Sequence, residues 1–524
     1  VNGPGDLSPT RRERELGELI GGHVDLAVIG GGITGCGVAL DAASRGLSVA
    51  LLERDDLANG TSRFSSKLVH GGLRYLAQGQ FGVAAESARE RHHLITRIAP
   101  HLVRPLATVI PFNDGVKRFD RLTLRVGYKL GDGLRRGSGT SARVLGRSQR
   151  VGADDAAAYV PALARGDLSG ALIGWDGQLE DDARLVTAVA RTAAAYGASI
   201  ITRCAVSAVE RGLVHAHDTL TGTEFELTAD NVISATGVWA GELSDGVRLT
   251  PSKGSHIIVP AEPLGNPTGS LTVPARGGGA KYVFAIPTAE QTVMIGLTDT
   301  EYEGAIPAEP QVEEWEIDLL LDTISTALKA PLIRADVIGS FAGLRPLLAP
   351  EGAGGSTADV SRRHQVIEDP ASGMLTIVGG KLTTYRRMAE DAVDRVTDQR
   401  CTTSSIALIG ADGASSVDPT IPERLRRRLG GEAARAVALA EGDAALLDPL
   451  VDGSAISAAE LRFSAAHELV LGSDDLLDRR TRAGLTPALR EALAPAAADA
   501  IAWAQSLPAK QSRGADHAAA TTPD

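Results

Sequence analysis

Between residues 23 and 54 a short apolar run, HVDLAVIG, gives way to glycines, then to a helical rhythm, then to a second apolar run, SVALLER. Strand, tight turn, helix and returning strand in that order define a βαβ unit, which commits the chain to a parallel sheet covered by helices. Ile33, Val38, Leu40, Ala42 and Ala43 carry the helical spacing, and Gly46 suits the left-handed position that ends a helix. In the turn, Gly30-Gly-Gly32-Ile-Thr-Gly35 has a spacing with a physical reason at each glycine. The first permits the turn, the second lets backbone approach a pyrophosphate, and the third lets helix and strand pack closely. The pyrophosphate would rest on the unpaired amides of the helix N-terminus. Glu53 closes the second strand, where an acid accepts hydrogen bonds from an adenosine ribose. An acid there argues against NADP, whose extra phosphate prefers an arginine, and leaves NAD and FAD open.

The remainder of the chain sets the frame for this unit. At 524 residues it is too long for one core, so two or three domains are expected. A formal charge of −12 disfavours nucleic acid as a partner, because phosphate backbones need a concentrated basic surface. Cys36, Cys204 and Cys401 are widely separated and form neither a disulfide framework nor a metal spacing, which fits a reducing cytoplasm. His92-His93 and His215-Ala-His217 lack partner ligands and read as surface features, so no metal is expected. The polar first 22 residues have no signal-peptide core, and no stretch reaches the roughly 18 apolar residues of a spanning helix. The protein is expected free in the cytoplasm or held on a membrane surface.

Later strands (SIITRCAVSAVE, NVISATG, HIIVPA, TVMIGLTD) alternate with helical stretches at 184–196 and 313–330. This mixture predicts a dinucleotide domain interleaved with a sheet-rich second domain over residues 23–410. From 411 to 508 the composition turns to Ala, Leu, Arg and Glu with helical periodicity. Two capping boxes are expected there, at Thr420-Ile-Pro-Glu423 and Ser457-Ala-Ala-Glu460, with Ile456 and Leu461 as a hydrophobic staple. Residues 509–524 have no apolar periodicity and are expected to be a disordered tail.

Directly after the acid, residues 59–75 (NGTSRFSSKLVHGGLRY) are dense in hydroxyls and glycines, a composition able to wrap a cofactor with backbone and side-chain donors. Here the sequence resembles the FAD-dependent, respiratory-type glycerol-3-phosphate dehydrogenases. The blocks that carry the resemblance are GGGITGCGVALDAASRGLSV, SSKLVHGGLRYL, DDARLV, SATGVWA, KGSHIIV, GLTDTEY, AGLRPL and GGKLTTYR, in that order, with a looser match at DDLLDRRTRAGL. The resemblance implies an α/β architecture: a glutathione-reductase-like FAD-binding Rossmann domain, an antiparallel-sheet substrate domain and a helical C-terminal domain. It implies FAD contacts at Gly30, Gly32, Gly35, Glu53, Thr61, Ser62, Ser65, Ser66, Lys67, Leu68 and His70, at Gly237, and at Gly380, Lys381, Leu382 and Thr383. Arg63-Phe64 departs from the small residues expected inside that loop.

The implied reaction is oxidation of sn-glycerol 3-phosphate to dihydroxyacetone phosphate by hydride transfer to flavin N5. Such a reaction must hold C2 over the flavin, supply a base, and clamp the phosphate with cations, for which guanidinium is well shaped. The resemblance places Arg74, Tyr75, Arg345, Arg362 and Lys381 at substrate and flavin, with Thr298 and Asp299 nearby. Arg363 is an alternative to Arg362. His256 is the candidate base, because imidazole titrates near neutral pH. Arg345 is the candidate stabiliser of alkoxide character.

In the respiratory family the electrons go to a membrane quinone. Residues 117–136 carry seven Lys or Arg against two Asp, interleaved with Phe119, Leu122, Leu124, Val126, Tyr128 and Leu130. That pattern predicts a helix lying on anionic lipid and a peripheral location on the cytoplasmic membrane face. A glycerol-3-phosphate oxidase that passes electrons to oxygen is the nearest rival, although the central insertion expected of it is not seen. A non-catalytic flavoprotein of the same fold is the rival from another class. The sequence does not fix the oligomeric state, with which a homodimer is compatible.

Overall fold

The strand His23–Ile29 is apolar on both faces, and in the computed structural model of the chain both faces are buried. The structure describes residues 3–72, 75–76, 79–112, 118–166, 168–244, 246–275, 282–349 and 363–507, with backbone only for 118–121. Leu26 and Val28 pack against the helices Ile33–Ser44, Asp182–Ala195 and Tyr385–Val393. Ala27 and Ile29 pack on the other face against Val214, Phe225 and Leu227 of a strand meander. The period-two division of one strand between two cores is what places helices and meander on opposite sides.

The first sheet has the order Gln365–Glu368, Leu375–Val378, Glu224–Ser234, His23–Ile29, Val49–Leu52, Ser199–Ile201. The four strands from Leu375–Val378 to Val49–Leu52 are mutually parallel, as is the pairing of Val49–Leu52 with Ser199–Ile201. Helix Ile33–Ser44 starts where the sequence places it, and Gly46, with φ of 89°, closes it.

Among the described residues a second sheet has ten strands, built mainly from antiparallel pairs with one parallel pair, Val103–Pro111 beside Ser270–Pro274. Helix Glu314–Ser325 covers it, burying Leu320, Leu321 and Ile324 against Ile257, Val259, Val283 and Ile295. The helix is shorter than its periodicity suggests. It is opened by a capping box in which Glu313 and Glu316 exchange bonds with each other's backbone.

The C-terminal part is helical, with helices Glu423–Leu429, Ala433–Ala438, Ala458–His467 and Pro487–Ser506. Ser457 caps Ala458–His467 by accepting from Glu460 N, but the Glu460 carboxylate turns to Arg424 instead of completing the box. Thr420 caps nothing: it is tied to Asp418, and Pro422 precedes the helix at Glu423. The tail assigned to 509–524 lies outside the described residues.

Helices Phe81–His93, Ala153–Tyr159 and Tyr385–Val393 were not anticipated, and neither was one near residue 10. The polar N-terminal stretch forms Pro9–Leu19, with Ser8 Oγ accepting from Arg11 N and Pro9 in the first turn. Arg12 anchors it to Asp218 at 2.6 Å.

Gly35 leaves no room for a side chain: a β-carbon there would lie 1.9 Å from the Gly30 carbonyl oxygen. Gly35→Ala is therefore expected to destabilise by at least about 1–3 kcal/mol in urea unfolding. Gly133→Ala, on the exposed face of helix Arg118–Gly137 with nothing within 4 Å of its β-carbon, is expected to stabilise by a fraction of about 1 kcal/mol.

Candidate active site and cofactor cavity

The carboxyl ends of the parallel strands open into one elongated cavity of about 1060 Å³, at the edge where open α/β sheets bind ligands. At one end stand Gly30, Gly32, Thr34, Glu53, Arg54, Cys204, Val206 and Trp239. Gly30 has φ of 107°, and a β-carbon on it would meet Ala235 O at 2.8 Å; one on Gly31 would meet the Glu53 side chain at 2.9 Å. Glu53 Oε2 accepts from Gly31 N at 2.5 Å and Oε1 from Asp55 N at 2.7 Å. Burial raises the Glu53 carboxyl to about 7 against those two amides, so further donors to it, such as ribose hydroxyls, favour its ionised form. A bare backbone cradle at a helix N-terminus with an acid at its rim fits the pyrophosphate and ribose of a dinucleotide.

Along the cavity run Thr61, Ser62, Phe64, Ser65, Ser66, Leu68 and His70 from one side and Gly237, Gly380, Lys381, Leu382 and Thr383 from the other. The hydroxyls of the loop are also tied to protein. Ser62 Oγ accepts from Ile33 N, so it caps the first helix of the βαβ unit at 2.9 Å. Thr61 Oγ1 donates to Leu344 O at 2.7 Å, and Ser65 Oγ to Asp182 at 2.8 Å. Gly35 contributes by packing, behind the cavity wall.

Lys67 departs from expectation. It follows Ser66 with φ of 53°, and its side chain turns behind the loop to Asp182, away from the cavity. Arg63 and Phe64, the two positions that break the small-residue pattern, have separate tasks. Arg63 is buried against Asn59 O and Glu309. Phe64 lines the cavity and stacks on Phe341, close over Gly343.

The far end of the cavity gathers Tyr75, His256, Thr298, Asp299, Arg345 and Lys381. Strand Ser252–Pro260 is central here, since it pairs both with Thr292–Gly296 and with Gly339–Arg345. His256 therefore lies across from Gly296 and Phe341, its ring over the bare glycine and stacked on Phe341 at 4.7 Å. Its Nε2 is 2.9 Å from Ser66 Oγ, and its Nδ1 has no hydrogen-bond partner among the described residues. Arg345 Nη1 donates to Ser252 Oγ at 3.0 Å and Asp299 at 3.1 Å, and Nη2 to Thr298 O at 3.3 Å. Lys381 Nζ donates to Ser87 Oγ at 2.7 Å and sits 4.1 Å from the Tyr75 ring centroid. Arg74 and Arg362 lie outside the described residues.

Two expectations change at this end. The His256 ring does not titrate near neutrality: burial first, then the charges of Lys67 and Arg345, push it down to about 3. Thr298 lines the cavity, but its hydroxyl accepts from Ser255 N and donates to Glu316, which makes it a buried brace. Sequence reasoning missed Glu316, whose buried carboxylate also takes Ser255 Oγ and faces Lys253 Nζ at 3.0 Å. It also missed Asp176 and Arg91. Asp176 accepts from Gly71 N at 2.9 Å and is paired with Arg91, which ties down Gly71. Among the described residues no group of His, Cys, Asp and Glu could hold a metal ion.

Comparison with known proteins agrees with this geometry. Residues 25–386 match the family described as FAD dependent oxidoreductase, and 401–509 match the C-terminal domain of alpha-glycerophosphate oxidase. Glycerol-3-phosphate dehydrogenase 1 of Mycobacterium tuberculosis is 48% identical over 93% of this chain and 96% of its own. The aerobic glycerol-3-phosphate dehydrogenase of Escherichia coli is 33% identical over 88% of this chain and 94% of its own. The crystal structure of the glycerol-3-phosphate dehydrogenase of Bacillus halodurans complexed with FAD superposes with a TM-score of 0.71 at 28% identity, covering 94% of both chains.

The low His256 value has a measurable consequence. An unfolded histidine binds its proton near pH 6.5, whereas the folded one does so only near 3, so folding stability present above about 6.5 is lost as pH falls towards 3. His256→Gln is expected to remove this component. Urea midpoints measured from pH 7 down to 4.5 should fall less steeply for the variant, by up to about one proton in the linkage slope.

The cradle, the cavity and these relatives together establish that the chain belongs to the FAD-dependent oxidoreductases and, within them, to the glycerol-3-phosphate dehydrogenases.

Proposed function

We propose that the chain oxidises sn-glycerol 3-phosphate to dihydroxyacetone phosphate and passes the electrons to a membrane quinone. One observation carries the reading: Arg345, Lys381, Tyr75 and His256 line the same cavity as the glycine cradle, so a small anionic alcohol and a dinucleotide share one chamber. FAD, when bound, supplies the hydride acceptor. In this reading Gly30, Gly32, Glu53, Thr61, Ser62, Ser65, Ser66, Leu68, His70, Gly237, Gly380, Leu382 and Thr383 hold it, through backbone and hydroxyl groups. Lys381 and Arg345 hold the substrate, with Arg74 and Arg362 completing the anion site.

Arg345 is itself held in place by Asp299 and Ser252, so its charge is already oriented when the C2 hydroxyl develops alkoxide character. His256 is neutral at physiological pH and can accept a hydrogen bond or a proton from that hydroxyl. The expected division of labour is that Arg345 stabilises charge and His256 orients the hydroxyl.

The acceptor reading rests on the other wall. The cavity continues to Ile110, Leu124, Gly127, Tyr128, Tyr282 and Phe284, an apolar extension ending beneath helix Arg118–Gly137. That helix exposes Leu122, Val126 and Leu130 at successive four-residue intervals, with Arg125, Lys129 and Arg136 also exposed. An apolar stripe among cations suits the interface of an anionic bilayer. No helix among the described residues is long and apolar enough to cross a membrane, so the proposed attachment is peripheral.

Anaerobic addition of glycerol 3-phosphate should bleach the flavin absorbance of the holoprotein; an unchanged spectrum would sink the substrate assignment. Arg345→Met should lower kcat/KM by about 10²–10³-fold, with kcat and KM both affected, because phosphate binding energy also positions C2. Triple substitution of Leu122, Val126 and Leu130 by serine should abolish sedimentation with phosphatidylglycerol vesicles at low salt while bleaching by glycerol 3-phosphate persists. Retained sedimentation would remove this helix from the membrane reading, and stoichiometric peroxide in place of quinone reduction would favour the oxidase.

A further inference from the structure

Asp182 is fully buried at the first turn of helix Asp182–Ala195, and its carboxylate is spent on the cavity loop. Oδ2 accepts from Ser65 N at 2.9 Å and Ser65 Oγ at 2.8 Å, and Lys67 Nζ lies 3.3 Å away. Behind the loop stands Arg482, which comes from the helical C-terminal part. Its Nη2 donates to the Arg63 carbonyl at 2.5 Å, and its guanidinium faces Asp181 at 3.2 Å and Asp182 at 3.9 Å. The loop is thus gripped at residues 63, 65 and 67.

The residues between the grips reach the active site, where Ser65 also lines the cavity. Phe64 and Ser66 line the cavity. Ser66 Oγ lies 2.9 Å from His256 Nε2, and Phe64 stacks on Phe341, which in turn stacks on His256. Lys67 holds a left-handed backbone, a conformation that a residue with a β-carbon keeps only where its surroundings impose it. Its ammonium, seated 5.2 Å from the Phe341 ring centroid, closes the same circuit from behind.

We infer that Arg482 and Asp182 are positioning residues for the oxidation: through residues 63–67 they fix the Ser66 hydroxyl, and with it the ring of His256. The helical C-terminal part then sets active-site geometry from behind the cavity loop. The inference rests on the proposed oxidation of glycerol 3-phosphate, and its test separates the two.

The test uses FAD-loaded protein mixed rapidly and anaerobically with glycerol 3-phosphate, each variant matched for bound FAD by absorbance. Arg482→Met and Asp182→Asn should each slow flavin reduction by about 10²-fold, the scale expected when a reacting group is misplaced by about 1 Å, with the half-saturating substrate concentration little changed. Arg482→Lys should regain part of the rate. In a Ser66→Ala background neither substitution should slow reduction further, because the connection to His256 is already cut. Losses that add in the double variants, or single variants with full FAD and unchanged rates, overturn the inference. Should Arg482→Met not accumulate as folded protein, Asp182→Asn carries the same cycle. Absence of bleaching in the unsubstituted protein overturns the substrate assignment and this inference with it. Bleaching with additive losses overturns the inference alone.

Discussion

The helix Ile33–Ser44 crosses the end of the first strand with no room for a side chain at Gly35, whose missing β-carbon would overlap the Gly30 carbonyl. That contact sets the helix down on the sheet with its N-terminal amides at the carboxyl ends of the strands, where their partial positive charge favours an anion. The left-handed Gly30 turns the chain into the approach, and Gly31 lies against Glu53, whose Oε2 accepts its amide. Three glycines and one acid therefore form a single steric unit. The cavity, the loop 59–70 and the GGKLTT turn are arranged around its open side.

The helical C-terminal part is joined to that unit by buried charge. Asp56, three residues after Glu53, accepts from Arg479 at 2.6 Å and from both Nη1 and Nη2 of Arg480, at 2.9 and 2.8 Å. Arg480 and Asp56 are fully buried, and burial opposes their charges while the paired geometry offsets it. Arg191 plays the same part elsewhere, bridging Asp6 and Glu432. Such pairs add modestly to net stability, yet removing one partner strands a buried charge at a cost of about 3–5 kcal/mol. Their effect is to allow one docking arrangement and penalise shifted ones. The segment from Glu53 to Lys67 consequently answers to two partners at once, cofactor cavity on one side and helical part on the other.

How legible each feature was in the sequence follows from how local its cause is. The βαβ opening could be read because every determinant lies within some 30 residues and each glycine has its own steric reason. The strand pattern showed only that the second domain is sheet-rich; its antiparallel character came with the family resemblance, and its parallel pairing with neither. The helix Pro9–Leu19 was overlooked because polarity masked its Ser8-Pro9 start. Thr420 had the right spacing for a cap, but Pro422 starts the helix and Asp418 takes the hydroxyl. Family resemblance placed Lys67 on the cofactor. The left-handed backbone at Lys67 turns its side chain behind the loop to Asp182, while Ser66 before it faces the cavity. Arg91, Asp176, Glu316 and Arg482 carried no local signal, since their partners come from distant segments and only the folded topology pairs them.

On the proposed substrate, the phosphate enters the electrostatics of the far end. Lys381 and Arg345 place two cations in one chamber, of which Arg345 is balanced by Asp299. Burial first, then the charges of Lys67 and Arg345, lowers the His256 affinity for a proton. A phosphate monoester carries close to two negative charges at neutral pH. Bound against the same cations, it opposes their field and raises the basicity of the imidazole, whereas an uncharged polyol would not. On the proposed substrate, then, the group that identifies the ligand also restores part of the proton affinity that the empty field removes. Discrimination for a phosphorylated alcohol would thus act on the chemical step as well as on binding, which is the condition for recognition energy to appear in kcat.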